Sequence, residues 1–154
     1  MNSLELIGET IIPESEQEKI AELICSREDP EHSYQICVKT VDSETMKHYN
    51  KRYRGLNETT DILSFITADL PACAIEERDE EDGFSAKPVR ICDIIIDIKR
   101  LFQQKGIRTL EDEYRAVLIH GLLHLVGYDH IRSEDAEKMN KKEEYYLKQT
   151  QGEI

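Results

Sequence analysis

Between Ala116 and Val126 the chain carries no formally charged side chain, yet two histidines are set into the run. Val117, Leu118, Ile119, Leu122, Leu123, Leu125 and Val126 fall on every side of a helical wheel, so a helix here must be buried all round. Such an element obliges the rest of the chain to wrap around it. His120 and His124 are four residues apart, which at 3.6 residues per turn places both imidazoles on one face. His130 follows just past Gly127, a residue suited to stopping the helix and turning the chain back.

A lone histidine on an apolar face is ordinarily a core imidazole bonded to a carbonyl or carboxylate. Burying three at these spacings without a common partner is costly. Neutral imidazoles are good ligands for zinc and similar metals, and a pair at i and i+4 holds a cation with little backbone adjustment. His120, His124 and His130 are therefore the candidate metal ligands, for one Zn2+ ion per chain, although three imidazoles also suit nickel, copper or iron. Three protein ligands leave a fourth position open for water, the arrangement of a catalytic site. No cysteine lies near enough in sequence to close a structural one.

Zinc peptidases place Glu directly after the first histidine as general base, whereas this chain has Gly121 there. That counts against ordinary peptidase chemistry and leaves the base unassigned. Glu113 lies on the histidine face but about two turns away, roughly 10 Å by helix rise. Asp129 is nearer in sequence, with a turn role or an imidazole-orienting role as alternatives to catalysis.

The remaining pattern supplies the elements around this helix. Leu4, Leu6, Ile7, Ile11 and Ile12 suggest an opening strand or two short ones. Pro13 then starts a helix with an Ile20, Leu23, Ile24 stripe, ended by Glu28-Asp29-Pro30. Tyr34, Ile36 and Val38 alternate with polar neighbours as in a half-buried strand. Asp42 or Ser43 can cap a helix with Met46, Tyr49 and Tyr53 on one face, and Arg54 to Thr60 read as a loop leading to a short strand over 61–66. Residues 69–86 read as an acidic loop, followed by a β-branched run from Val89 to Ile98 that suits a central strand. A short helix through Leu101 and Phe102 ends at Gly106, Thr109 starts the histidine helix, and Ser133 starts a last one that buries Ala136, Met139, Tyr146 and Leu147. The order predicts an α+β fold, a small mixed sheet covered by helices, as one domain over residues 1–154.

A net charge of −12 argues against nonspecific affinity for nucleic acid, because phosphates are neutralised by Lys and Arg. The charge is uneven, however. Residues 36–60 hold Lys39, Lys47, Lys51, Arg52 and Arg54 against three acids, and residues 87–108 hold six bases against Asp93 and Asp97, so a local basic surface is available. Cys25, Cys37, Cys73 and Cys92 are unevenly spaced and read as reduced, packed thiols. No signal segment or apolar run of membrane-spanning length is present, which predicts a cytoplasmic protein without a membrane partner.

With these residues in view, HGLLHLVGYDH resembles the signature of the YbeY endoribonuclease family, rRNA maturation factors formerly described as predicted metalloproteases. Upstream, YNKRYRGLNETTDILSF is similar to the family's Tyr-Arg-Gly segment followed by Thr-Asp-Val-Leu-Ser-Phe, and CDIIID to its Gly-Asp-Ile strand. The resemblance implies a zincin-like α+β domain and a metal-dependent, single-strand-specific endoribonuclease. It implies action in 16S rRNA 3′-end maturation and ribosome quality control, with single-stranded RNA, rRNA and ribosomal particles as partners. By position, His120, His124 and His130 correspond to the metal ligands and Arg54 to a catalytic arginine. Arg54 has a physical case too, since a guanidinium grips a phosphate through two hydrogen bonds and stabilises charge growing on it. Cys92 stands where the family has glycine, and a side chain there is expected to narrow the cleft. The alternatives are a zinc-dependent hydrolase of peptides or small amides, and a ribosome-associated interaction protein with a structural metal.

Overall fold

The computed structural model describes residues 2–72 and 87–151. The element order is β1 (Ser3–Ile7), α1 (Glu14–Glu28), β2 (Ser33–Val41), α2 (Ser43–Arg54), β3 (Ile62–Leu70), β4 (Val89–Asp97), α3 (Ile98–Gln104), α4 (Leu110–Leu125) and α5 (Ser133–Gln151). The strands form one mixed sheet in the order β1-β2-β4-β3. β1, β2 and β4 run parallel, and β3 pairs antiparallel with β4 at the edge. The predicted α+β architecture is the one observed.

Side-chain alternation along the strands divides the molecule into two layers. Tyr34, Ile36 and Val38 of β2, with Cys92, Ile94 and Ile96 of β4, face a large core completed by α1, α4 and α5. On the other face Ile95 joins Met46 of α2 and Leu63 of β3 in a small cluster. β4 is covered on both sides, as its unbroken isoleucine run requires. α4 lies in the large core, where Leu118, Ile119, Leu122 and Leu123 are fully buried.

Local signals start and stop the helices. The Thr109 hydroxyl accepts from the Asp112 amide at 3.1 Å and the Asp42 carboxylate accepts from the Thr45 amide at 2.8 Å, caps worth about 1 kcal/mol each. Asp97, fully buried, caps α3 through the Arg100 amide and also accepts from Ser43 and Thr59, tying the start of α2 and the loop before β3 to the end of β4.

Several boundaries differ from the sequence reading. Ile11 and Ile12 are not in a strand; Ile12 is buried as a plug before α1. Arg54 is the last residue of α2, not the first of a loop, and Gly55 at φ 70° ends the helix. β3 runs on to Leu70, since pairing with Arg90 and Val89 holds Asp69 and Leu70 in the sheet. Ile98 is helical because Asp97 caps there. In α5 the buried residues are Met139, Tyr146 and Thr150, while Ala136 and Leu147 are half-buried. Cys92 does not narrow a cleft; it points into the large core, where burial pushes its thiol up to about 12. Cys25 is likewise a buried free thiol and Cys37 a half-buried one. Cys73 and most of the acidic loop lie outside the described residues. Among the described residues no helix is long and apolar enough to cross a membrane.

Candidate metal centre

The histidines are assembled by the end of α4 and the turn after it. Gly127, at φ 113°, takes a backbone conformation that would strain any side chain and sends the chain back along the helix. The Tyr128 amide donates to the Leu123 carbonyl at 3.0 Å and the Gly127 amide to the His124 carbonyl at 3.1 Å, closing the turn. Asp129 accepts from the Ile131 amide at 3.2 Å, so its role is that of a turn residue. His130 is thereby returned to the other two, with ring centroids 5.7 Å from His120 and 5.1 Å from His124.

Hydrogen bonds at the far nitrogens dictate how these rings present themselves. His124 Nδ1 lies 2.9 Å from the Tyr128 carbonyl, which can only accept, so Nδ1 carries the proton and Nε2 a lone pair. His120 Nδ1 bonds to the Glu143 carboxylate on α5, with the same consequence. The two Nε2 atoms are 3.1 Å apart. When both rings are neutral their lone pairs face each other across this gap, a separation that a shared cation makes favourable. Two nitrogens each about 2.0–2.1 Å from a tetrahedral zinc would be about 3.3 Å apart. The ligand atoms of all three histidines lie within 4.8 Å of one another, with His130 the exposed member. Burial, then the neighbouring His120 and His130, hold His124 below the ordinary histidine pKa against the opposing Tyr128 carbonyl and Glu143, which keeps its lone pair available. The residues fit a metal ion.

Support for this arrangement comes from Glu28, at the end of α1. Its carboxylate accepts from the hydroxyls of Tyr128, at 2.6 Å, and Tyr146, and pairs with Lys142 at 3.2 Å. One side chain thus fastens both the turn that supplies the carbonyl to His124 and the helix that supplies Glu143 to His120. Burial alone would raise the Glu28 pKa, but the two tyrosine bonds and Lys142 outweigh it and hold the carboxyl below its usual value. The Tyr128 phenol is raised to about 12 by burial and Glu28, so it remains a donor.

An open groove of about 920 Å³ runs past the three histidines and along residues 60–67, to Tyr53 and Arg54 at the end of α2. It passes over the outer edge of β3. Arg54 is exposed and has no ion pair or hydrogen bond among the described residues. The structure therefore brings the four sequence candidates to one groove. Glu113 does not join them: its carboxylate accepts from Arg108 at 3.1 Å and Gln104 at 3.0 Å and is absent from the groove lining. Lys51 and Arg52 are exposed on α2. Tyr128 is half-buried against the large core with its hydroxyl on Glu28, and it is absent from the lining of the histidine groove.

Gly121 has a steric explanation. A Cβ there would come within 2.6 Å of Ile62 Cδ1 and 3.7 Å of Ile94 Cδ1, so the position is packed against the sheet and any side chain there must displace Ile62. Sequence reasoning missed Glu143 and Glu28. Both carried a readable signal: Glu143 lies four residues after Met139 and three before Tyr146, and Glu28 four after Ile24, so each is an acid on a buried stripe. A third unforeseen carboxylate, Asp61, does line the groove, and it accepts from Gln104 and from the Ile62 amide.

Comparison with known proteins places these features in a family. The family model described as Endoribonuclease YbeY matches residues 7–151. A protein named Endoribonuclease YbeY from a Thermoanaerobacter species is 33% identical over 130 residues, covering 82% of this chain and 80% of that protein. One of the same name from Clostridium botulinum is 30% identical over 138 residues, covering 84% and 83%. The solution structure of the Thermotoga maritima protein TM1509 is similar in fold, with TM-score 0.62 and 22% identity over 98% of this chain and 91% of that one.

Proposed function

The chain belongs to the YbeY endoribonuclease family, and we propose that it is a zinc-dependent, single-strand-specific endoribonuclease. In this reading residues 1–154 form one hydrolase domain acting in the cytoplasm on rRNA and ribosomal particles, in 16S rRNA 3′-end maturation and ribosome quality control. The observation that carries the reading is the pair of Nε2 atoms 3.1 Å apart in a groove that also contains Arg54, a guanidinium with no ion pair among the described residues. A bound zinc ion would supply a Lewis acid and lower the pKa of a coordinated water. His120, His124 and His130 hold it, with Glu143 and the Tyr128 carbonyl fixing two of the rings. Arg54 binds the scissile phosphate by paired hydrogen bonds and offsets the charge that builds on its oxygens as the bond breaks. Elemental analysis of the native protein should return one zinc per chain. Protein freed of contaminating nuclease should cut single-stranded RNA, and His120→Ala should abolish the cutting; equal cleavage by that variant would sink the proposal.

A second reading has one observation in its favour. β3 lies at the sheet edge, and its residues 62–67 line the groove, so an extended peptide could pair with its outer side. Peptides and RNA assayed at equal metal occupancy separate the two readings. Gly121 in place of the peptidase glutamate favours RNA.

A further inference from the structure

We infer that Tyr53 is a base-stacking platform, a nucleobase subsite on the opposite side of the β3 edge from the histidines. The inference rests on the endoribonuclease reading and deepens it by naming what makes the site prefer single strands. Tyr53 is 50% exposed and lines the same groove as the histidines. Its ring is nonetheless held in place: Phe65 of β3 stacks on it with centroids 4.6 Å apart and an interplanar angle of 29°. Tyr49, one turn earlier on α2, lies nearly parallel at 6.1 Å, and the exposed Arg52 guanidinium lies over the ring, 5.5 Å from its centroid, where an incoming base takes its place or stacks beside it. An aromatic ring fixed by its neighbours but half in solvent loses little freedom when a flat partner lands on it.

The next residue is Arg54, whose guanidinium lines the same groove and has no ion pair among the described residues. Consecutive residues on the last turn of α2 therefore offer a phosphate contact and an aromatic surface side by side. Ile66, 40% exposed on the same groove wall, extends the apolar surface. A nucleic acid strand is the ligand class that presents both complementary groups at every residue, an anionic phosphate and a base with an open face. In a duplex the base faces are occupied by their neighbours, so only an unpaired strand can use the platform. The single-strand preference then follows from Tyr53 and does not require the metal to discriminate.

The test uses the full-length, zinc-loaded protein and short RNA oligonucleotides, some lacking the base at one position near the cut. Tyr53→Leu should raise KM on single-stranded RNA about 10-fold with little change in kcat, and Tyr53→Phe should leave KM within about twofold. Removing the base that the platform serves should weaken wild-type binding by a similar factor and abolish the difference between wild type and Tyr53→Leu. A penalty for Tyr53→Leu that persists unchanged at every abasic position overturns the inference. A 2-aminopurine placed at that position should lose fluorescence on binding the wild-type protein, and its absence of quenching overturns the inference even if the leucine variant fails to fold. Binding is read by anisotropy separately from cleavage. Base-dependent binding without cutting would retain the platform and reject the nuclease, whereas cutting with Tyr53-independent binding would do the reverse.

Discussion

The two walls of the groove are built on opposite principles. The histidine wall is braced from behind: each of His120 and His124 has its far nitrogen fixed, and Glu28 secures the elements that do the fixing. The α2 wall presents Arg54 and Tyr53 to solvent with few constraints on the guanidinium. A metal ion needs ligands placed to within a fraction of an ångström, which only packed neighbours provide. A flexible polyanion needs charge and a surface, which an adaptable guanidinium beside a ring backed by Phe65 supplies. Substitutions on the first wall should register in folding and metal affinity, whereas removing the Arg54 guanidinium on the second should register in kinetics alone.

The largest effect expected is at Gly121. Gly121→Glu restores the residue pattern of zinc peptidases, but it drives a carboxylate against Ile62 and Ile94. We expect a loss of stability of about 4 kcal/mol or more, read by denaturant unfolding, and no peptidase activity. A stable, peptide-cleaving variant would break the argument that position 121 faces the sheet.

On the other wall, Arg54→Ala should lower kcat about 100-fold while zinc content and unfolding midpoint stay at wild-type values, because no described residue depends on this guanidinium. A drop in stability would show that Arg54 belongs to the braced region after all. Glu143→Gln should weaken zinc affinity about 10-fold to 100-fold, measured by chelator competition, with a smaller change in the metal-free unfolding curve.

Glu28→Gln gives the smallest effect and the sharpest pH signature. It should cost about 1 kcal/mol at pH 7 by weakening three charge-assisted contacts. The folded-state pKa of Glu28 is lowered, so its stabilisation is fully present above the unfolded carboxyl value of 4.5 and is lost as pH falls through the folded value. The wild-type and Glu28→Gln stability curves should therefore begin to converge as pH falls below 4.5 and meet once it has passed the lower folded value. A constant difference across that range would mean that packing, not charge, makes the contribution.

Much of the fold was legible because its signals are local. The alternation of Tyr34, Ile36 and Val38, the caps at Asp42 and Thr109, and the unbroken isoleucines of β4 each express a rule that acts within a few residues. Boundaries shifted where a distant partner intervened, as when β4 kept Asp69 and Leu70 in the sheet. Arg54 was reached through family resemblance, since a free arginine on a helix end looks the same in sequence whether or not a groove lies beside it.

By itself the sequence determined that three imidazoles converge. Helical periodicity puts His120 and His124 on one face, and Gly127 allows His130 to return. The tertiary structure decided which nitrogens face inward, what holds them and what shares their groove. Those answers depend on pairs separated by 23 residues for His120 and Glu143, 100 for Glu28 and Tyr128, and 118 for Glu28 and Tyr146. Periodicity fixes the direction of a side chain relative to its own helix, and only packing of whole elements fixes one helix relative to another.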